Sequence, residues 1–388
     1  MKICDVTQFY SPYGGGVRRY IAEKEAFVRA CGGRHEHVLV IPGQRDECVM
    51  EGPCKVCTVR SPRLDRTSRY RLLLRVGVVR EILRKERPDL IELGDPYHVA
   101  WAAWIESCAL KIPVVGFYHS HFPDAYLRTV KKYCGAMVHD FVQDYARAYI
   151  ERLYGRLART LVASPRLRDL LESWGVGNAV VVRLGVDTEV FRPGAADAAM
   201  RRELGVPEGR VCLLSVGRLA HEKGVGTLLG AYRLLRESEP GRYHLVVVGQ
   251  GPLRREVEAL GAETGEVSWR ANFPCSEDLV RVYRAADIFV HPGVLETFGL
   301  VTVEAQACGL PAVGIRGSYM DGLAFCGIGR WAGENTAASL AGAVRAMAEG
   351  PRGAIGAEVA AAAAAFAWPK VFAELFEVYG GVCDEGVR

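Results

Sequence analysis

The chain has 388 residues, of which 49% are hydrophobic and 24% charged, and a formal net charge of +4. That length exceeds one ordinary domain and suits two, and the composition is that of a globular chain with apolar surface for two cores. The near-neutral balance excludes the strong field that nucleic acid calls for, and no run approaches the roughly 20 apolar residues of a membrane span.

Met1–Val6 carries Lys2 and Asp5 and is too short and polar for a secretory leader, so a cytoplasmic protein, at most peripheral to a membrane, is expected. Short β-branched runs then alternate with longer helix-period segments, the pattern of βαβ units and parallel sheets. In the first half strands are predicted near Lys2–Val6, His37–Ile41, Asp89–Leu93, Pro113–Tyr118, Thr160–Ala163 and Val180–Arg183, with helices at Val17–Ala30, Tyr70–Lys85 and Val138–Leu157. Pro193, Gly194, Pro207 and Gly209 punctuate a polar stretch, read as a linker at 191–210 between a domain at 1–190 and one at 211–367. The second half restarts the pattern, with strands near Val211–Val216, His244–Val248, Ile288–His291 and Pro311–Ile315. Helices fit Gly226–Arg236, Pro252–Leu260, Glu277–Ala285 and Leu300–Cys308. The Ala360–Ala365 run reads as a packed helix, since alanine is the best helix former, and Trp368–Val378 as another, ending at Gly380–Gly381 within 368–388.

Twelve cysteines are scattered, several of them (Cys4, Cys212, Cys308) inside apolar runs, which reads as buried thiols. Cys54 and Cys57 form a C-x-x-C pair near Cys48, but no second pair or close histidine completes four ligands. Three reduced thiols are expected there, and no metal site.

Four segments carry residues suited to chemistry. Gly14-Gly15-Gly16-Val17 follows the first strand, where glycines let the backbone approach a ligand and a helix N-terminus favours an anion. The spacing is not G-x-G-x-x-G, and a plain flexible loop is the competing reading. Tyr118-His119-Ser120-His121 ends a strand, where open α/β sheets bind ligands; a histidine bonded only to its own loop is the alternative. Val216 to Gly224 runs from a strand into a helix. Its Arg218 can fork two phosphate oxygens and its Lys223 adds a point charge, unless both merely pair with Glu222 on the surface. His291 to Glu304 passes from a strand through a turn to a helix, offering Glu296 and Glu304 as acceptors of hydroxyls and the amides of Gly299, Leu300 and Val301 to a phosphate. Either glutamate taken singly reads as a surface residue.

Together these segments resemble the family-four retaining glycosyltransferases of the GT-B fold. The resemblance runs over nearly the whole chain and is carried by the glycine-rich first loop, Leu184-Gly185-Val186-Asp187, Val216–Gly224 and, above all, ETFGLVTVEAQACGLP from Glu296 to Pro311. It implies two Rossmann-like domains facing each other across a cleft, the first on the acceptor side and the second binding the nucleotide sugar, with the last helix crossing back to the first domain. It implies that Gly15 and Gly16 sit against the donor phosphates, that His119 contacts the transferring sugar, and that Arg218 and Lys223 neutralise the diphosphate. Glu296 would bind sugar hydroxyls and Glu304 the ribose. Two departures stand out: Leu184 where the family often has Asn, and Arg316-Gly317-Ser318-Tyr319-Met320-Asp321 in place of Gly-Gly-x-x-Glu.

The reaction so implied moves a hexose from a UDP- or GDP-sugar to a hydroxyl of a lipid, glycan or small molecule. Its transition state has oxocarbenium character, with negative charge growing on the departing phosphate. The resemblance supports front-face attack, the phosphate taking the acceptor's proton, without a metal. Competing readings are a sugar-nucleotide epimerase of the same fold and a non-catalytic sugar-nucleotide-binding module. A Rossmann oxidoreductase fits worse, since neither half carries the glycine fingerprint.

Base recognition is expected near Gln250–Gly251 and Phe273–Pro274. Arg60 to Arg87 holds ten basic residues (Arg60, Arg63, Arg66, Arg69, Arg71, Arg75, Arg80, Arg84, Lys85, Arg87) interleaved with leucine and valine. It reads either as a surface for anionic lipid or as an ordinary helix packed on its sheet.

Overall fold

A computed structural model describes residues 1–10, 15–64, 70–119, 140–273 and 275–386. The chain divides into two units, Met1–Leu184 with Trp368–Arg388, and Gly185–Ala367.

In the first unit β1 (Lys2–Val6), α1 (Gly16–Ala30), β2 (Glu36–Gly43), β3 (Glu47–Glu51) and β4 (Cys54–Arg60) precede α2 (Val76–Glu86), β5 (Leu90–Leu93), α3 (His98–Leu110) and β6 (Val114–Phe117). Helix α4 (140–154), β7 (Arg159–Val162), α5 (Pro165–Ser173) and β8 (Ala179–Val181) follow. The strands form one sheet in the order β3-β4-β2-β1-β5-β6-β7-β8. Every pair is parallel except β3 with β4. Strands covered on both faces read as continuous apolar runs, and β5, β6 and most of β1 are buried throughout. Ser164 caps α5 by accepting from the Leu167 amide (3.3 Å), with Pro165 in the first turn, where its missing N–H costs nothing.

The second unit carries α6 (Ala198–Glu203), β9 (Val211–Val216), α7 (Val225–Ser238), β10 (Tyr243–Val248), α8 (Arg254–Thr264), β11 (Val267–Arg270), α9 (Ser276–Ala285), β12 (Ile288–Val290), α10 (Leu300–Ala307), β13 (Ala312–Val313), α11 (Ala337–Glu349) and α12 (Arg352–Ala363). Its parallel sheet has the order β11-β10-β9-β12-β13. Residues 191–210 lie in this unit: Asp197 caps α6 through the Met200 amide (2.7 Å) and takes Arg281 of α9 (2.9 Å).

Helix α13 (Trp368–Gly386) belongs to the first unit. Its buried residues, Trp368, Val371, Phe372, Leu375, Phe376, Tyr379 and Val382, recur at the three- and four-residue spacing of one helical face. Phe27 of α1 meets Phe372 (5.7 Å between ring centres) and Phe376 (5.1 Å) on that face. Phe372, which is fully buried, contributes about 1.5–3 kcal/mol by that burial.

Four sequence expectations need correction, and one is the end of the last helix, which was expected at Gly380–Gly381 but runs on to Gly386. The helix expected over Tyr70–Lys85 begins only at Val76, because Arg71 bridges Arg63 in an extended segment and its guanidinium donates to the Ser61 carbonyl (2.6 Å). The hairpin β3–β4 was not anticipated, since every residue of β3 is exposed and its sequence shows no alternation of buried and open positions. That hairpin sets Cys48 directly opposite Cys57, and the two form a disulfide; of the three expected reduced thiols only Cys54, which is buried, is one.

Candidate functional site

In the second sheet the chain leaves β9 for β10 and β11 on one side, then returns to lay β12 and β13 on the other. The reversal between β9 and β12 is a topological switch point, and in open α/β sheets the crevice beyond the strand ends is where ligands bind. The loop after β9 carries Arg218 and Lys223; the loop after β12 carries His291 and Glu296. The pairing of Ile288 with Leu213 and of Phe289 with Leu214 brings these two loops side by side.

Gly224 joins them. It stands at φ 71, caps α7, and lies so close to the second loop that a Cβ would come within 2.5 Å of the Pro292 carbonyl oxygen. Only glycine fits both demands. The ammonium of Lys223 donates to the carboxylate of Glu296, the two side chains being 27% and 23% exposed. Burial pushes the Glu296 carboxyl up, but Lys223 and then His291 beside it outweigh burial and hold it below the usual glutamate range. Burial pushes His291 down to about 4, so its ring is neutral. The Gly293 amide donates to its Nδ1 (3.3 Å), which leaves the ring proton on Nε2.

Arg218 pairs with Glu222, and its side chain is 65% exposed. Gly299, at φ 83, precedes α10; the first amides of a helix have no carbonyl of their own helix to bond, and those of Leu300 and Val301 stand in that position. Met320, from the segment that departs from the family pattern, packs fully buried beneath Gly299, while Asp321 folds back onto the amides of Gly317 (3.1 Å) and Ser318 (3.2 Å). Glu304 lies inside α10, 4% exposed, and accepts from the Tyr283 hydroxyl of α9 (3.1 Å). Lys223 and Glu296 therefore meet, whereas Arg218 and Glu304 each take a separate partner.

The first sheet also reverses, between β1 and β5. Gly15, at φ 113, caps α1 after β1, and Gly16 opens that helix; Gly14 lies outside the described residues. His119 follows β6, half-buried; Ser120 and His121 lie outside the described residues. Its ring stacks on Phe117 (4.1 Å) and meets Tyr20 edge to face (5.0 Å). Burial, then the charge of Lys24, push its imidazole down to about 3.

Sequence reasoning missed a buried polar cluster under this region. Lys24 is fully buried, with its ammonium 2.8 Å from Asp5 and 3.0 Å from Glu92. The Tyr20 hydroxyl donates to Glu92 (3.1 Å), and the Tyr379 hydroxyl accepts from Lys24 (3.1 Å) and donates to Glu92. The signal was present: Lys24 falls on the buried stripe Tyr20, Ile21, Lys24, Val28 of α1, and Asp5 and Glu92 interrupt strands that are otherwise apolar. Asp95, after β5, was missed too; it accepts from Thr7 Oγ1 (3.0 Å) and from the amides of Gln8 and Phe9, tying the ends of β5 and β1 together.

In the basic segment, Arg80 and Arg84 both bond the buried Glu106 of α3 (2.6 Å each), Arg75 bonds Asp46, and Val79 and Leu83 are buried. Asp65, Arg66 and Arg69 lie outside the described residues, as does Pro274 of the expected base-recognition region.

Two family models match the chain, Glycosyltransferase Family 4 over residues 14–190 and Glycosyl transferases group 1 over residues 197–357. A GDP-mannose-dependent alpha-mannosyltransferase of Corynebacterium glutamicum is 29% identical over 337 residues, covering 81% of this chain and 72% of its own. A GDP-mannose-dependent alpha-(1-6)-phosphatidylinositol dimannoside mannosyltransferase of Mycobacterium tuberculosis is 28% identical over 360 residues, 90% of this chain and 88% of its own. Among solved structures, sucrose-phosphate synthase from Thermosynechococcus elongatus superposes with a TM-score of 0.77 at 20% identity over 98% of this chain and 99% of its own.

Proposed function

The chain belongs to the family-four glycosyltransferases, group 1, of the GT-B fold, and from that premise we propose that it is a retaining mannosyltransferase taking GDP-mannose as donor and a hydroxyl of a glycolipid or glycan as acceptor. The observation that carries the reading is the Lys223–Glu296 pair at the switch point of the second sheet, beside the start of α10. GDP-mannose is preferred over a UDP-sugar because GDP-mannose dependence is in the names of both relatives given above.

In this mechanism Arg218, Lys223 and the amides at Gly299, Leu300 and Val301 stabilise charge growing on the departing diphosphate. Lys223 has three N–H donors, so it can hold Glu296 and still donate to a phosphate oxygen. Glu296, kept ionised by that lysine, accepts hydroxyls of the sugar, and Glu304 the ribose. Gly15 and Gly16 approach the donor phosphates, and His119 donates to the transferring sugar. The acceptor hydroxyl attacks from the face the phosphate leaves, and the phosphate takes its proton. The positive charge is supplied by side chains, so transfer is expected to survive a chelator; loss of transfer on chelation, with recovery on added metal, overturns that part.

Arg71, Arg75, Arg80 and Arg84 each hold a partner within the first unit, which favours ordinary packing and solvation over a lipid-binding surface for this basic segment. Flotation with anionic vesicles decides between them.

A thermal-shift screen of GDP-mannose, GDP, UDP-glucose and UDP tests the donor, since a ligand that binds only the folded chain raises its melting temperature with concentration. A shift with GDP-mannose, followed by transfer of radiolabelled mannose with the anomeric configuration kept, is expected. Stabilisation by the UDP compounds alone, or inversion of configuration, overturns the reading.

A further inference from the structure

We propose that Tyr20 is a positioning residue for His119, and that the C-terminal helix α13 sets where Tyr20 stands. The proposal deepens the reading of His119 given above and rests on it. The imidazole lies flat on Phe117 (4.1 Å, 2° between planes), and Tyr20 meets it edge to face at 5.0 Å and 65°. Phe117 and Tyr20 are themselves edge to face at 5.2 Å, so the three rings form one packed group.

Tyr20 is only 1% exposed and is fixed at both ends. Its ring is backed by two residues of α13, Phe372 (5.6 Å) and Trp368 (6.5 Å). Its hydroxyl donates to Glu92, which also takes the Tyr379 hydroxyl of α13 and lies 3.0 Å from Lys24. Lys24 spans the set, donating to Asp5 (2.8 Å) and Tyr379 (3.1 Å). Apolar side chains would fill this space at less desolvation cost. What the polar set adds is direction: each hydrogen bond constrains a donor angle, and the set together allows the Tyr20 ring one orientation. A helix from the far end of the sequence thereby reaches the one site residue of the first unit that the resemblance assigns to the sugar.

The test uses the full chain with Tyr379→Phe, Tyr20→Phe and Tyr20→Leu, and two readouts. The first is the ring nitrogen resonances of His119 in histidine-labelled protein, assigned with His119→Gln. The second is kcat and donor KM with GDP-mannose. Tyr379→Phe and Tyr20→Phe should move the His119 ring signals and lower kcat about 3- to 10-fold, leaving donor KM within about twofold. Tyr20→Leu should lower kcat about 10- to 100-fold, so that Phe at this position rescues part of the loss. Tyr379→Phe removes one oxygen from a residue remote from His119 and decides the matter if Tyr20→Leu does not fold. Unchanged His119 signals in folded Tyr379→Phe and Tyr20→Phe overturn the proposal. Moved signals in a chain whose wild type transfers no mannose overturn the mannosyltransferase reading and leave the positioning intact.

Discussion

The ammonium of Lys223 donates to the carboxylate of Glu296 across the ends of β9 and β12, although 73 residues separate the two. The two loops that carry them are in close contact, since Gly224 lies against the Pro292 carbonyl. Burial alone would favour a protonated Glu296; the lysine reverses that, and so the pair fixes the charge of both loops at once.

Lys223→Ala should cost about 1–2 kcal/mol at pH 7, below the full penalty for breaking a buried pair because both side chains are about a quarter exposed. The Glu296 carboxyl is held below its unfolded value of 4.5, so its contribution is present above that pH and is lost as pH falls through the folded value. Urea unfolding of wild type and variant should therefore differ at pH 7 and converge in acid. Adding Glu296→Gln should recover part of the loss, because an amide needs no counter-charge.

Arg218 presents the opposite case. Its pair with Glu222 is exposed, and such pairs are worth about 0–1 kcal/mol, so Arg218→Ala should leave the melting temperature nearly unchanged. If it stabilises the leaving diphosphate, the same variant should lower kcat/KM about 100- to 1,000-fold. Arg218→Lys should recover little, lacking the planar fork. A large loss of stability with ordinary kinetics would reverse both roles.

Gly224→Ala should destabilise the second unit by about 2–3 kcal/mol, through a left-handed backbone and a clash with a carbonyl that cannot rotate away. Donor KM should rise with it, since Lys223 is the preceding residue. Equilibrium unfolding and donor titration together check this; an alanine variant as stable as wild type would show that the two loops can part.

Three histidines are neutral in the fold at low pH: burial pushes His119 down to about 3, and His244 and His291 to about 4, from 6.5. Unfolded histidines take up protons below 6.5 and these do not, so the part of the stability that rests on these three is full above that pH and falls progressively as pH drops towards 4. His244→Gln, away from the candidate site, should flatten the slope of unfolding free energy against pH over that interval.

Much of the architecture was legible in the chain. Parallel strands buried on both faces leave apolar runs such as YHLVVV of β10, and α1 announces itself by Tyr20, Ile21 and Val28 on one stripe. The run from Glu296 to Pro311 carried the family. By contrast, β3 is exposed along its whole length and has no burial pattern to read, and the Cys48–Cys57 disulfide follows from a pairing that only the folded hairpin creates.

Where a helix or strand shows a clear period, the sequence by itself determined which of its apolar residues turn inward, because burial repeats with the period of the element. Which charge meets which was decided only by tertiary structure. Glu222 adjoins Lys223 in the chain yet pairs with Arg218, while Lys223 takes Glu296, and Lys24 finds Asp5, Glu92 and Tyr379 in three separate elements. Those partners are set by the order of strands in the sheet and by where the last helix packs, and no local periodicity encodes either.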